Sequence, residues 1–284
     1  NKNQLAAKIW ASANKMRAKI EANEYKDFIL GFIFYKFLSD KELTFLKSNG
    51  VEGDDLHTIK EDDRETVTYL QNNLGYFIAY EYLFSTWLAQ GRNFSIASVR
   101  DALSAFERLI QPERKKLFGG IFESLHSGLS KLGASDAEQS KAVRDILMLI
   151  KEIPTDARQD YDVLGFVYEY LISNFAANAG KKAGEFYTPH EVSVLMSDII
   201  AHHLKGQQNI CIYDPTSGSG SLLINIGKSV ARHIEGNNNI KYYAQELKTA
   251  TFNLTRMNLI MRGINPSNIE VRCGDTLKED WPYF

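Results

Sequence analysis

The chain of 284 residues is predicted to be an α/β protein, an N-terminal all-α domain followed by the first half of a doubly wound parallel sheet. Three observations carry that prediction. From Gln4 to Ile150 apolar residues recur at helical spacing, as Ile29, Ile33 and Phe37 do on one stripe, with almost no alternating strand pattern. Beyond residue 160 the texture changes, and short apolar runs at Asn209–Tyr213, Ile240–Ala244 and Asn268–Cys273 alternate with helical stretches. A loop of small residues, Asp214-Pro-Thr-Ser-Gly218-Ser-Gly220-Ser, follows directly on the first of those runs.

The helical domain is expected to span residues 1–155. Asn49-Gly50, Gly53-Asp54-Asp55, Gly91 and Gly119-Gly120 mark loops, and Gly133-Ala-Ser-Asp136 reads as a capped helix start. About five to seven helices fit between them. Phe28, Phe32, Phe34, Tyr35 and Phe37 are dense enough for an aromatic ligand box, but their spacing is what a buried bundle face needs. The second domain, residues 156–284, is expected to open with a helix from Asp160 to Asn174. A loop, Ala179-Gly-Lys-Lys-Ala-Gly-Glu-Phe-Tyr-Thr-Pro189, leads to a helix from His190 to Leu204. The three strands follow, separated by helices at Ser219–His233 and Thr249–Met261.

Composition narrows the function. With 44% hydrophobic and 24% charged residues the chain is a folded protein rather than a disordered one. Its 33 basic and 35 acidic residues give a net charge of −2, which excludes a basic DNA-coating protein; any affinity for nucleic acid must be local or come from a partner. Cys211 and Cys273 are too few for a disulfide framework and sit in apolar runs, so they are expected to be buried thiols in a reducing compartment, with no zinc site. The most apolar early stretch, Phe28–Leu38, is broken by Lys36 and is shorter than the roughly 20 residues of a membrane span. No membrane association is expected. Asn1–Lys8 lacks the pattern of a secretory leader, which makes the cytoplasm the expected compartment.

The loop after the first strand occupies the place where doubly wound sheets bind ligands. A nucleoside-triphosphate loop is ruled out, because Leu222 stands where the first glycine before Gly227-Lys228-Ser229 is needed. A dinucleotide fingerprint fails as well, with Leu223 in place of the third glycine after Gly218 and Gly220. Asp214 at the strand end would repel a pyrophosphate and favours a cationic ligand. S-adenosylmethionine meets that requirement: it carries an ammonium and a sulfonium, no phosphate, and a carboxylate suited to a helix start. Glu246, ending the second strand, is placed to accept both ribose hydroxyls, and Asp275, after the third, to accept from the adenine amine. Each has a plainer alternative: Asp214 capping the next turn, Glu246 as a helix N-terminal charge, Asp275 in an ordinary Gly-Asp turn.

Gly184-Glu-Phe-Tyr-Thr-Pro189, Asp214-Pro-Thr-Ser-Gly-Ser-Gly220 and Asn253-Leu-Thr-Arg-Met-Asn258-Leu together resemble the modification (methyltransferase) subunit of type I restriction–modification systems. The segment Tyr25-Lys-Asp-Phe-Ile-Leu-Gly-Phe-Ile-Phe-Tyr-Lys-Phe-Leu-Ser-Asp40 resembles that subunit's opening helices, so the similarity spans nearly the whole chain. The resemblance implies a Rossmann-like, S-adenosylmethionine-dependent enzyme that methylates the N6 of adenine in DNA. It implies that Glu185, Phe186, Tyr187, Thr188, Pro189 and His190, with Ser217, Gly218, Ser219 and Gly220, surround the methionyl part of the cofactor. Glu246 would then take the ribose and Asp275 lie near the adenine. It also implies partners: a second modification subunit, a DNA specificity subunit, a restriction subunit that can join them, and double-stranded DNA. The helical domain would help grip the specificity subunit or close around DNA.

The family's catalytic Asn-Pro-Pro-Tyr or Asn-Pro-Pro-Phe does not occur in these 284 residues; Asn265-Pro266 is followed by Ser267 and precedes the third strand, so it reads as a turn. That motif would accept the two amine hydrogens of a flipped adenine and stack on its ring. The expectation is therefore a fragment that carries the cofactor-binding half and is inactive alone, with no catalytic residue to assign. A non-catalytic assembly or regulatory module that keeps the fold is the rival reading, and a methyltransferase acting on RNA or protein a more distant one.

Overall fold

The computed structural model describes residues 2–17, 20–155, 161–178, 188–232 and 240–282. The chain divides into two compact units, Asn1–Val167 and Tyr168–Phe284. Among the described residues no helix is long and apolar enough to cross a membrane.

The first unit is helical. Its elements are α1 (Lys2–Met16), α2 (Ala22–Ser48), α3 (Arg64–Leu74), α4 (Phe84–Gln90), α5 (Ile96–Arg108), α6 (Lys115–Phe118), α7 (Glu123–Gly128) and α8 (Asp136–Ile150), joined by short 3-10 turns. Eight α-helices among the described residues exceed the five to seven expected, because α4, α6 and α7 are too short to leave a periodic signature. Caps set several starts: Asp63 accepts from the amides of Glu65 and Thr66, and Ser95 and Ser135 cap α5 and α8.

The centre of this unit is α2. The expected one-sided stripe is corrected here, since every residue from Phe28 to Ser39 is buried and not only the Ile29, Ile33 and Phe37 face. A helix that is apolar all round must be wrapped by others. Tyr35 stacks on Trp87 with ring centroids 4.8 Å apart, and Phe122 lies against both Phe34 and Tyr35. The aromatic run of α2 is thus core. Two of its buried polar groups, Glu42 and Ser39, serve the connection from α3 to the start of α4, whose buried amides need acceptors. Ile78 N donates to Glu42 Oε2 at 3.0 Å and Phe84 N to Ser39 Oγ at 2.8 Å.

The second unit contains most of α9 (Tyr161–Asn178), then α10 (His190–His203), β1 (Ile210–Asp214), α11 (Ser221–Ala231), β2 (Ile240–Glu246), α12 (Thr249–Met261) and β3 (Ile269–Cys273). The expected helix ends at Asp160 and His233 lie outside the described residues. The strands form one parallel sheet in the order β1-β2-β3. Ile210, Ile212, Ile240, Tyr242, Ala244 and Ile269 are buried on the face that meets α11 and α12. Gly227 sits in the interior of α11, where a Cβ would fall onto the Tyr242 hydroxyl. The glycine of Gly227-Lys228-Ser229 is therefore a packing glycine that lets helix and strand approach.

The cysteines correct the sequence reading, for both thiols are exposed. An apolar run does not bury both faces of a strand: Cys211 alternates with Ile210 and Ile212 and so points to the other side of β1. Cys273 stands at the exposed end of β3. On that other face the described cover is the Trp281 ring, edge-on to Tyr213 and Tyr243.

Candidate functional site

Parallel strands in register deliver their carboxyl ends to one edge. Asp214 pairs with Ala244, and Glu246 pairs with Cys273, so the loops after β1, β2 and β3 lie side by side. Hydrogen bonds then stitch the loops together. Ser217 N donates to the Gln245 carbonyl at 3.0 Å, Gly274 N to the Glu246 carbonyl at 3.0 Å, and Thr276 Oγ1 to the Pro215 carbonyl at 2.6 Å.

Asp214 is 8% exposed. Its Oδ1 accepts from Thr216 N at 3.0 Å, an Asx turn that starts the loop, while its Oδ2 is buried without a hydrogen-bond partner among the described residues. Burial pushes its carboxyl above the usual range, the Thr216 amide opposes that, and the nearby Glu246 charge adds to it. The site thus holds a carboxylate with one oxygen that lacks a donor among the described residues.

The glycines are needed where they stand. Gly218 and Gly220 have φ of 57° and 80°, the left-handed region, and Gly220 N closes the turn onto the Ser217 carbonyl at 2.7 Å. Gly220 is the N-cap of α11 and offers no side-chain cap, so the first turn of the helix faces the loop with backbone N–H groups alone. Glu246 reaches back from β2: Oε2 accepts from Gly218 N at 3.1 Å, and Oε1 from Leu247 N and Lys248 N at 2.9 and 3.2 Å. Asp275 shapes its own turn, with Oδ1 accepting from Leu277 N at 3.0 Å and Oδ2 3.4 Å from Lys278 Nζ. Both side chains therefore make local turn bonds while standing on the shared edge.

Thr188, Pro189 and His190 stand half-buried to exposed at the head of α10, with Pro189 as its N-cap. α10 is laid along α11, where Asn225 Nδ2 donates to Ser193 Oγ and Ser229 Oγ to Asp198 Oδ1, each at 2.8 Å. Among the described residues no hydrogen bond joins Thr188, Pro189 or His190 to the glycine loop. Glu185, Phe186 and Tyr187 lie outside the described residues.

A supporting layer was not assigned from sequence. Thr255 Oγ1 lies 2.7 Å from the Gly218 carbonyl and 3.0 Å from Ser217 Oγ. Asn258 Nδ2 donates to the Ser219 carbonyl at 2.8 Å and to Glu169 Oε1 at 2.9 Å. Two signals were available: Glu169 is the lone charge in the apolar run from Val163 to Asn178, and Asn253, Thr255, Arg256 and Asn258 are polar residues buried in one helix.

Comparison with known proteins identifies the family of both halves of the chain. Residues 5–148 match the family model described as the HsdM N-terminal domain, and residues 159–283 match that described as N-6 DNA Methylase. The chain is similar to the methylase subunit of the type I restriction enzyme MpnII from Mycoplasma pneumoniae, 29% identical over 299 residues, covering 99% of this chain and 54% of that protein. A second relative is the MjaVIII methylase subunit from Methanocaldococcus jannaschii, 29% identical over 282 residues, covering 98% and 44%. Among solved structures, the type I restriction-modification methyltransferase subunit from Streptococcus thermophilus superposes with a TM-score of 0.84 at 32% identity, covering 99% of this chain and 60% of that one. The chain spans about half the length of the curated relatives it matches.

Proposed function

This chain belongs to the HsdM-type modification subunits of type I restriction–modification systems, and we propose that its crevice binds S-adenosylmethionine for methyl transfer to the N6 of adenine in DNA. The observation that carries the reading is Asp214 Oδ2, a buried carboxylate oxygen that finds no donor among the described residues, at the mouth of a parallel sheet. Leaving such an oxygen unpaired costs free energy, and a positively charged group beside it removes that cost.

The residues present fit this cofactor. Asp214 faces a cationic group, the uncapped first turn of α11 receives a carboxylate, and Gly218 and Gly220, lacking a Cβ, leave the backbone open to contact. Glu246 accepts the ribose hydroxyls and Asp275 the adenine amine, while Ser217 and Ser219 line the loop. By the family resemblance we assign Glu185, Phe186, Tyr187, Thr188, Pro189 and His190 to the methionyl part of the cofactor. When bound, S-adenosylmethionine supplies an activated methyl group; this chain's residues orient it and shield it from water. Sequence reading falls to a specificity subunit, with a second modification subunit and a restriction subunit completing the complex on double-stranded DNA in the cytoplasm. The net charge of −2 suits that division, because phosphate contacts need not come from this chain.

Calorimetric titration with S-adenosylmethionine tests the binding, with S-adenosylhomocysteine as the ligand that lacks the sulfonium charge. Asp214→Asn is expected to weaken the charged ligand by at least about tenfold, the equivalent of one charge-assisted contact, and the neutral one less. No loss for either ligand would remove Asp214 from the site, and equal losses would place it at the ammonium, which both ligands carry, and not at the sulfonium. Incubating the assembled complex with labelled cofactor and DNA, then identifying the modified base, tests the reaction; a product other than N6-methyladenine would overturn it.

A further inference from the structure

We propose that Glu169 is a positioning residue that holds the glycine loop in its binding conformation, an inference that rests on the cofactor reading above. Four residues form a closed ring of hydrogen bonds. Ser219 Oγ meets Ser221 Oγ at 2.7 Å, Ser221 Oγ donates to Glu169 Oε2 at 2.7 Å, and Glu169 Oε1 accepts from Asn258 Nδ2 at 2.9 Å. Asn258 Nδ2 returns to the Ser219 carbonyl at 2.8 Å. Ser219 is therefore gripped at its hydroxyl and at its carbonyl, on either side of its own backbone.

The grip falls between Gly218 and Gly220, the two residues in left-handed conformation. Glycine carries the largest backbone entropy to lose, so a loop that needs two of them is not self-ordering. The ring supplies the order from outside: Glu169 comes from α9 and Asn258 from α12. Its carboxylate side chain is 19% exposed, and Arg262 Nη2 at 3.6 Å partly balances the charge. Each oxygen of Glu169 accepts one of the ring's bonds. What it does is fix the loop, so that backbone donors and Asp214 stand in place before the cofactor arrives.

A residue acting this way affects all ligands alike, whereas one that touches the sulfonium discriminates by charge. The test compares wild type, Glu169→Ala, Glu169→Gln, Asn258→Ala and the Glu169→Ala/Asn258→Ala pair in the intact chain. The measurements are amide hydrogen exchange across residues 217–221 without ligand and titrations with S-adenosylmethionine and S-adenosylhomocysteine. Glu169→Ala is expected to speed exchange of the loop and to weaken both ligands by the same factor, about tenfold for one net hydrogen bond. Glu169→Gln should restore most of both, since an amide accepts from Asn258 and donates to the Ser221 hydroxyl. The double variant should be no worse than its worse single, because a ring once opened is already open. Unchanged loop exchange in Glu169→Ala, additive losses, or a loss confined to the charged ligand would overturn the proposal. Ser221→Ala, which opens the ring with little change in volume, decides the matter if Glu169→Ala does not fold. If the wild type bound neither ligand the cofactor reading would fall, while the exchange data would still judge the ring.

Discussion

The amide of Gly218 donates to Glu246 Oε2 at 3.1 Å, so the carboxylate that ends the second strand also holds the loop that follows the first. The other oxygen of Glu246 carries the turn into α12 through Leu247 and Lys248. One side chain thus has two positions to keep and, in the cofactor reading, two ribose hydroxyls to accept. A carboxylate offers about four acceptor sites and three are taken by these amides, so the ribose engages the remaining site on Oε2 unless the turn bonds to Leu247 and Lys248 loosen.

That relationship gives a prediction specific to the ribose. Glu246→Ala should weaken S-adenosylmethionine by about tenfold to a hundredfold, the range for hydrogen bonds to a charged acceptor. An analogue without the 2′ and 3′ hydroxyls should bind wild type and Glu246→Ala nearly alike. Titration of both proteins with both ligands forms the cycle, and a variant that loses the same factor on each ligand would show that Glu246 only shapes the loop.

Asp214 predicts a pH dependence with a definite sign. Its carboxyl is raised by burial, so in the unliganded fold it takes up a proton more readily than in the unfolded chain. The stability linked to this group is fully present below its ordinary range and is lost as pH rises through the raised value. A cationic ligand reverses the preference, because it stabilises the ionised form. Affinity for S-adenosylmethionine should therefore fall as pH drops into the window between the raised and the ordinary carboxylate range, with up to one proton released per ligand bound inside that window. Titrations in buffers of different ionisation enthalpy measure that proton, and Asp214→Asn should abolish it.

The site was legible where chemistry and period coincided. Three strand runs, each followed by an acidic residue, place Asp214, Glu246 and Asp275 on one edge once the strands are parallel. What the sequence hid is non-local. Glu169 precedes Ser219 by fifty positions, and nothing in the apolar run around it says which loop its carboxylate meets. The cysteines misled for a simpler reason: hydrophobic runs mark strands without saying which face is covered, and Cys211 alternates out of the helix-facing side. In the helical unit, Ile29, Ile33 and Phe37 gave a stripe, yet burial of α2 on every side depends on partners as distant as Trp87 and Phe122.

Gly227 supplies a packing test that also bears on the discarded phosphate-loop reading. Alanine there would press its Cβ against the Tyr242 hydroxyl and ring, so Gly227→Ala should cost about 1–3 kcal/mol, the usual penalty of overpacking. Tyr242→Val opens the same space and should recover part of that loss in the double variant. Denaturant unfolding of the four proteins measures both effects; additive losses would mean that helix and strand do not meet through this pair.

Glu42 is the sharpest test of the helical unit, because its carboxyl is wholly buried in α2. Oε2 accepts from Ile78 N at 3.0 Å, and Oε1 is buried with no partner among the described residues. Burial drives the carboxyl well above its ordinary value, and the single amide bond opposes this only in part. The native fold therefore favours the neutral acid, and the sign follows: its contribution to stability is full at acid pH and is lost as pH rises from the ordinary carboxylate range through the raised value. Glu42→Gln keeps an acceptor for Ile78 and cannot ionise, so its unfolding free energy should lack that slope and exceed the wild type's above the window. Glu42→Leu also cannot ionise, yet it strands the Ile78 amide and should cost about 1–3 kcal/mol at acid pH, where the wild type is neutral. Denaturant midpoints followed across pH separate the two terms. A wild type and Glu42→Gln that run parallel at every pH would show that the group is not held neutral.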